Sequence, residues 1–259
     1  MSLNKKYSKI KHHPNNILKN KNCLVTGATA GIGKAIALEL ASNGCNLFLT
    51  GRNSKRLENL KKIIEKENVD LKIRISVADL SKRSEIQKVI KKVRNDFSNI
   101  DILVNSAGIF PVKLLKEKEI EDFDACFNVN IITPFLLSQE FSKEMKKNNW
   151  GRIINIASSA AYSGRARGSI YRSTKHALLG FSKAITKELR DYHVRVFCIS
   201  PGPTKTKMGK SILKKDNPDE DFDTFIEPSD IAKFISNLIS FDTELFIQEI
   251  RLGRIIGET

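Results

Sequence analysis

The sequence of 259 residues has few of the features that mark disulfide-rich, metal-binding or membrane-spanning proteins. Its four cysteines, at positions 23, 45, 126 and 198, are separated by 22, 81 and 72 positions, so no pair has the spacing of a metal or redox motif. No apolar run approaches the roughly 20 residues that a membrane-spanning helix needs. Because each cysteine lies in an apolar context, we expect buried, reduced thiols, no metal site and a cytoplasmic location.

Acidic residues are scarce relative to basic ones. The chain has 44 lysines and arginines against 29 aspartates and glutamates, a formal net charge of +15. Such an excess attracts anionic partners, which include phosphorylated ligands, acidic metabolites and nucleic acid. The lysines are scattered over the helical segments and form no single block, which favours a solvated surface without a specific nucleic-acid partner.

The ends of the chain and one internal stretch differ from the rest in composition. Residues 1–20 are basic, lack the apolar core of a signal peptide, and are expected to form a flexible tail. Residues 21–259 are expected to form one domain. Within it, residues 206–227 show no clear period, and an aperiodic stretch of this length is typical of a lid or binding loop. We therefore expect a substrate flap near residues 206–227.

Short apolar runs alternate with longer segments of helical period. Most runs are continuous in Val, Ile and Leu, as in parallel strands covered on both faces. Helices are predicted from Ser54 and over residues 81–97, the latter with Ser81 as its N-cap. The repeated order predicts an α/β fold, a single doubly wound Rossmann-type domain with a parallel sheet of about seven strands. The predicted strands are residues 23–26, 46–50, 71–77, 102–105, 153–157, 194–199 and 245–250.

Three glycines follow the first predicted strand and open a helix. The stretch from Thr26 to Gly33 has the spacing G-x-x-x-G-x-G, with glycines at 27, 31 and 33. Glycines at a strand-to-helix turn let the backbone approach a pyrophosphate, which then lies at the positive helix N-terminus. The turn therefore predicts a dinucleotide site.

The end of the second predicted strand indicates which dinucleotide is bound. Folds that prefer NAD place an acidic residue near this point to accept from the ribose 2′-OH. This chain has Gly51 and then Arg52, and a guanidinium can bind a 2′-phosphate in a charge-assisted way. We expect NADP(H) to be favoured over NAD(H).

Tyr171 and Lys175 form a candidate acid–base pair. At positions i and i+4 they share one face of a helix. A free phenol titrates near pH ~10. An ammonium about 4 Å away at an effective dielectric of ~20 contributes roughly 4 kcal/mol to the phenolate. We therefore expect Lys175 to lower the pKa of Tyr171 into the working range of a general acid or base.

Over roughly residues 20–250 the sequence resembles the short-chain dehydrogenase/reductase family. The elements occur in that family's order and spacing, including the 13 positions between Ser158 and Tyr171. They are Thr26-Gly27-x-x-x-Gly31-Ile32-Gly33, Asp79-Leu80, Asn105-Ser106-Ala107-Gly108, Asn130, Ser158, Tyr171-x-x-x-Lys175, and Pro201-Gly202 with Thr206.

The resemblance implies a role for each matching residue. Tyr171 would be the general acid or base, and Ser158 rather than Ser159 would hydrogen-bond the substrate oxygen. Lys175 would bind the nicotinamide ribose, and Asn130 would hold a water that relays protons. The expected cofactor contacts are Gly27, Thr29, Gly31, Ile32, Gly33, Arg52, Asp79, Leu80, Asn105, Ala107, Gly108, Tyr171, Lys175, Pro201, Gly202, Thr204 and Thr206.

The resemblance also implies an activity. We expect an NADPH-dependent carbonyl reductase or alcohol dehydrogenase that acts on a small polar ketone or hydroxy acid. A 3-ketoacyl thioester reductase of a lipid pathway is the alternative, and a non-catalytic redox-sensing or nucleic-acid-binding protein is a remote one. The substrate pocket is expected between residues 110–113, residues 160–167 and the flap, with Lys113, Arg165 and Arg167 as anion contacts. The family also implies a homodimer or homotetramer formed through helices at residues 135–145 and 171–189.

Overall fold

Seven parallel strands form one sheet in the computed structural model, which describes residues 17–216 and 220–255. The strand order is β3-β2-β1-β4-β5-β6-β7, which confirms the predicted doubly wound architecture. The strands are β1 Asn22–Thr26, β2 Asn46–Gly51, β3 Ile73–Val77, β4 Ile102–Asn105, β5 Gly151–Ile156, β6 Val194–Pro201 and β7 Glu249–Leu252. The helices are α1 Gly31–Ser42, α2 Ser54–Glu67, α3 Arg83–Asp96, α4 Ile120–Phe127, α5 Thr133–Lys147, α6 Ser169–Leu189, α7 Lys207–Asp216 and α8 Pro228–Ser240.

The alternation of side chains along each strand builds two cores, one on either face of the sheet. Val25, Leu47 and Leu49 pack with residues of α1, α2 and α8. Leu24 and Phe48, their neighbours in sequence, point to the other face and pack with residues of α3 and α5. Because both faces are covered at the centre of the sheet, β1, β2 and β4 are buried almost throughout, and this is why they read as continuous apolar runs in the sequence.

The sheet has its crevice where the strand order reverses. β1 pairs with β2 on one side and with β4 on the other, so the connections after β1 and β4 diverge above the sheet. In open parallel sheets, ligands bind outside the carboxyl ends of the strands at this point. The predicted site residues follow the carboxyl ends of β1, β2, β3, β4, β5 and β6. They therefore converge at that end of the strands.

The local structure differs from the sequence prediction in two helices. Ser81 does not cap α3, because its hydroxyl is hydrogen-bonded to Asp79 Oδ1 at 2.8 Å and the cap position is Lys82. Within the predicted aperiodic flap, residues 207–216 form α7, which turns the buried Leu213 inward. Residues 217–219 of the flap lie outside the described residues.

The last strand and the predicted tail also differ in their limits. β7 begins at Glu249 rather than at residue 245, and Leu245 and Phe246 are about half exposed. Its register is set by pairing of residues 249–252 with residues 198–201 of β6. Leu18 is fully buried in the core, so packing begins before residue 21, whereas residues 1–16 lie outside the described residues.

The four cysteines are buried and form no disulfide, as predicted. Burial raises the pKa of Cys23 and of Cys198, and it is the largest cause in both cases. Such thiols are protonated and unreactive at neutral pH. In the described part of the chain, no helix combines the length and apolar character that a membrane span requires.

Candidate active site

The glycine turn between β1 and α1 has the conformation that its sequence predicts. Gly27 has φ of +68°, and a Cβ at this position would lie 2.8 Å from Ala107 Cα. Gly33 packs so closely that a Cβ would lie 2.5 Å from the Gly27 carbonyl oxygen. The backbone of β1, the turn and the loop after β4 are therefore in direct contact, which only glycine permits.

The first turn of α1 has features that favour an anion. Its N-cap is Ala30, which provides no side-chain hydrogen bond, and no acidic residue lies in the first turn. The backbone N–H groups at this end have no intrahelical acceptor and add to the positive end of the helix dipole. These features fit the pyrophosphate of a dinucleotide.

A cleft of about 580 Å³ runs from this turn across the carboxyl ends of the strands. This volume is within the range of ligand sites in proteins. Thirteen of the predicted cofactor residues line it, namely Gly27, Thr29, Gly31, Ile32, Gly33, Arg52, Asp79, Leu80, Ala107, Gly108, Tyr171, Lys175 and Thr206. Ser106, part of the matching motif at residues 105–108, lines it as well. Sequence reasoning missed further lining residues, among them Ala30, Asn53, Ile109, Val129, Ile156, Lys207 and Met208, because they have no chemistry that distinguishes them from neighbouring positions.

Two arginines lie at the β2 end of the cleft. Arg52 and Arg56 line it beside Asp79. Burial acts to raise the pKa of the Asp79 carboxyl, but hydrogen bonds from Ser81 and the charge of Arg52 outweigh it and lower that pKa. Asp79 is therefore an anion held by Ser81, and the positive charge of Arg52 and Arg56 dominates this end of the cleft.

Tyr171 lies at the junction of this cleft with a second cavity of about 720 Å³. Its ring is stacked on that of Phe110, with centroids 4.2 Å apart and planes inclined by 6°. Ser158 also lines the second cavity, and it is hydrogen-bonded to Tyr171. Ser158 accepts a hydrogen bond from the N–H of Ala160 at 3.1 Å, so its position at the end of β5 is fixed by the turn that follows.

Burial decides the protonation states of the Tyr171–Lys175 pair. It raises the pKa of Tyr171 to about 12, against the hydrogen bond with Ser158, which lowers it. Burial also lowers the pKa of Lys175 to about 8. The Lys175 ammonium donates to the Ile156 carbonyl at 2.7 Å and lies 5.6 Å from the Tyr171 ring centroid. The expectation that Lys175 lowers the pKa of Tyr171 is therefore wrong for this geometry, because desolvation of the buried phenol is the largest cause and raises that pKa.

Asn130 lies in a π-helical turn, residues 128–132, between α4 and α5. Its side chain is fully buried and donates to the Ile109 carbonyl at 3.1 Å and to the Thr174 hydroxyl at 2.9 Å, and its Oδ1 accepts from the Ile109 N–H at 3.0 Å. It thus ties the loop after β4 to α6, next to Lys175. Such local π-turns occur frequently at functional sites. The predicted role in proton relay stays a prediction.

The structure does not bring every predicted residue to the cavities. Asn105 is buried, and strand alternation directs its side chain to Asn155 Oδ1, 2.8 Å away, instead of into the cleft. Lys113 forms an ion pair with Asp122 at 2.6 Å, which occupies the predicted anion contact. Arg167 lines neither cavity, whereas Arg165 lines the second one. Pro201, Gly202 and Thr204 line the second cavity, on the substrate side of Tyr171.

Comparison with known proteins agrees with this geometry. The model of the family described as short chain dehydrogenase matches residues 21–217. The chain is 34% identical over 227 residues to the 3-oxoacyl-(acyl-carrier-protein) reductase FabG of Aquifex aeolicus, which covers 86% of this chain and 91% of that protein. It is 34% identical over 186 residues to the D-beta-hydroxybutyrate dehydrogenase of Cupriavidus necator, which covers 72% of this chain and 71% of that protein.

A solved structure has the same fold over nearly the whole chain. The alcohol dehydrogenase from Thermococcus sibiricus, determined in complex with 5-hydroxy-NADP, superimposes with a TM-score of 0.82 and 27% sequence identity. The match covers 93% of this chain and 99% of that protein. The matched family model, together with the sheet order and the glycine turn, shows that this chain belongs to the short-chain dehydrogenase family of oxidoreductases.

Proposed function

We propose that the protein is an NADPH-dependent carbonyl reductase, reversibly an alcohol dehydrogenase, that acts on a small polar ketone or hydroxy acid. The observation that carries this proposal is the position of Tyr171. Its side chain lines both the cleft that fits a dinucleotide and the second cavity, which has room for a small substrate. A proton donor at this junction can reach a carbonyl oxygen whose carbon faces the cofactor.

In the proposed mechanism, this chain orients the carbonyl and supplies the proton. The nicotinamide, when bound, supplies or takes up the hydride. Ser158 hydrogen-bonds the substrate oxygen and holds it beside Tyr171. A phenol with a pKa of about 12 is protonated at neutral pH, so Tyr171 is ready to donate its proton as negative charge develops on that oxygen. The Lys175 ammonium, close behind, stabilises the phenolate that remains and gives up a proton readily because its pKa is about 8.

The cofactor preference rests on Arg52. Its side chain lines the β2 end of the cleft, where a 2′-phosphate would lie if the pyrophosphate occupies the glycine turn. The alcohol dehydrogenase from Thermococcus sibiricus, solved with 5-hydroxy-NADP, supports NADPH as the cofactor.

The preference is tested by fluorescence titration of NADPH and NADH into wild type, Arg52→Ala and Lys55→Ala. Lys55 is exposed and lines neither cavity, so it controls for loss of one positive charge. We expect Arg52→Ala to weaken NADPH binding roughly ten- to hundred-fold, because it removes charge-assisted hydrogen bonds, and to leave NADH binding unchanged. Equal weakening of both nucleotides, or none, would contradict the preference.

A second candidate is reduction of 3-ketoacyl thioesters. It is favoured by the 34% identity to the Aquifex aeolicus reductase over 227 residues. Oxidation of NADPH, followed by absorbance, with acetoacetate, levulinate and an acetoacetyl thioester separates the two candidates. A higher kcat/KM for the small ketones supports the first proposal, and a higher value for the thioester supports the second. If NADPH is bound but none of these compounds is reduced, the carbonyl reductase proposal fails.

A further inference from the structure

Positive charge is concentrated on the wall of the second cavity. Arg165, Arg172, Arg251 and Arg254 line it, whereas Glu220 is the one acidic residue in the described part of the chain that does so. The cavity wall therefore carries an excess of positive charge. Because a cavity with low-dielectric walls focuses the field of such charges, it concentrates anions next to Tyr171.

Two of these arginines form contacts that stabilise the cavity wall. Arg254 forms an ion pair with Glu220, donates to the Thr224 hydroxyl at 3.1 Å, and lies 5.3 Å from the Phe225 ring centroid. Arg172 donates to the carbonyl oxygen and to the hydroxyl of Ser163. These contacts hold residues 220–225 and the loop after β5 in place.

Arg251 is positioned by contact with an aromatic ring. Glu249 and Arg251 alternate with the core residues Ile250 and Leu252 along β7, so both point away from that core. The Arg251 guanidinium carbon lies 4.3 Å from the centroid of the Tyr162 ring, which is a cation–π geometry. Arg251 is exposed and lines the second cavity, so its guanidinium can contact a ligand there while it lies beside this ring.

The Tyr162 ring is itself fixed by polar contacts. Its hydroxyl donates to Glu249 Oε1 and lies 3.1 Å from the hydroxyl of Ser200. The other oxygen of Glu249 pairs with Lys183 of α6 at 2.6 Å. Lys183 of α6 and Glu249 of β7 thus fix the Tyr162 ring, which in turn contacts Arg251.

We propose that Arg251 binds a carboxylate of the substrate, so that this protein reduces small oxo acids in preference to neutral ketones. The inference rests on the proposed carbonyl reductase function and identifies its substrate class. Tyr162 is the positioning residue, because its ring orients the guanidinium within the cavity that Tyr171 also lines. Arginine suits this role because its planar fork matches the two oxygens of a carboxylate.

The test compares acetoacetate and levulinate with their methyl esters, with NADPH as reductant, in wild type and variants. In Arg251→Met we expect KM for the acids to rise roughly ten- to hundred-fold, because a charge-assisted hydrogen bond is lost, while KM for the esters and kcat for both change little. Arg251→Lys should recover part of the affinity for the acids. Arg190→Met is the matched control, because Arg190 is exposed, pairs with Asp191 before the amino end of β6, and does not line the second cavity.

Variants of Tyr162 test its positioning role separately. Tyr162→Leu removes the ring and should raise KM for the acids without lowering kcat, whereas Tyr162→Phe keeps the ring and should have a smaller effect. An equal loss for acids and esters in Arg251→Met, or none for either, would overturn the inference. Reduction of the esters with no preference for the acids would overturn it as well, yet leave the carbonyl reductase function standing. Failure to reduce any of the four compounds, with NADPH still bound, would overturn both.

Discussion

Lys175 is buried at a position where desolvation disfavours the charged form of its side chain. Only 4% of the residue is exposed, and its pKa falls from 10.5 to about 8. At 1.36 kcal/mol per pKa unit, this shift corresponds to roughly 3 kcal/mol of stability that the charged form forfeits. Such a cost at a single residue is typical of a group that is kept for activity rather than for stability.

Lys175→Met should therefore stabilise the fold while it abolishes turnover. Below pH 8 the lysine is charged in both the folded and the unfolded protein, so the variant gains the most there. Between pH 8 and 10.5 only the unfolded wild type keeps the proton, so wild-type stability rises with pH and the gain of the variant shrinks. Denaturant unfolding at pH 7 and pH 10 measures this difference, with the exposed Lys147→Met as control. A variant that is destabilised equally at both pH values would contradict the account.

The identity of individual site residues could be predicted when their chemistry is distinctive. Tyr171 and Lys175 were predictable from residue type and spacing, Ser158 was implied by the resemblance to the family, and the structure brings the three together. Arg251 was not, because nothing in the sequence around residue 251 shows that its side chain contacts Tyr162. The error about the pKa of Tyr171 has a similar origin, since the degree of burial that raises it cannot be read from an i, i+4 spacing.

At the scale of elements, the cleft depends on how closely α1 can start above β1. A Cβ on Gly33 would lie 2.5 Å from the Gly27 carbonyl oxygen, so an alanine must push α1 away from the turn. In contrast, a Cβ on Gly180, in the exposed part of α6, meets no atom within 4 Å. These two glycines form a matched pair in which only one contacts the cleft.

We expect Gly33→Ala to lose about 1–3 kcal/mol of unfolding free energy through overpacking and to bind NADPH at least roughly ten-fold more weakly. Gly180→Ala should retain wild-type NADPH affinity, because its helix needs no rearrangement. Thermal unfolding and fluorescence titration of both variants provide the two readouts. If Gly33→Ala bound NADPH as the wild type does, the glycine turn would not be the pyrophosphate site.

Element boundaries could be predicted where burial is uniform and not where side chains compete for partners. The continuous runs of β1, β2, β4 and β6 predicted those strands within one or two residues at each end. The start of β7 could not be predicted, because the apolar residues 245 and 246 are half exposed before the chain enters the sheet. The helix α7 was missed because its apolar residues are few and lysines flank them.

At the scale of the whole molecule, the fold places a dinucleotide cleft and a basic cavity on either side of one tyrosine. The association predicted through α5 and α6 stays a prediction. Phe135 of α5, which packs edge-to-face on Phe181 of α6, is 43% exposed, so an apolar side chain is accessible on this face. The parallel, doubly wound sheet could be predicted from the alternation of strands and helices. The second cavity was predicted in part, because Phe110, residues of the 160–167 segment and residues of the flap line it as expected. The contribution of Arg251 in β7 was not predicted.

In the proposed mechanism, Tyr171 donates the proton during NADPH-dependent carbonyl reduction. The most direct measurement compares wild type, Tyr171→Phe and Tyr192→Phe for NADPH affinity and for acetoacetate turnover. Phenylalanine keeps the ring stacked on Phe110, and Tyr192 is 44% exposed beyond the far end of α6. We expect all three proteins to bind NADPH about as tightly as the wild type, and Tyr171→Phe alone to lose about a hundred-fold or more in kcat. Wild-type turnover in Tyr171→Phe would contradict this mechanism.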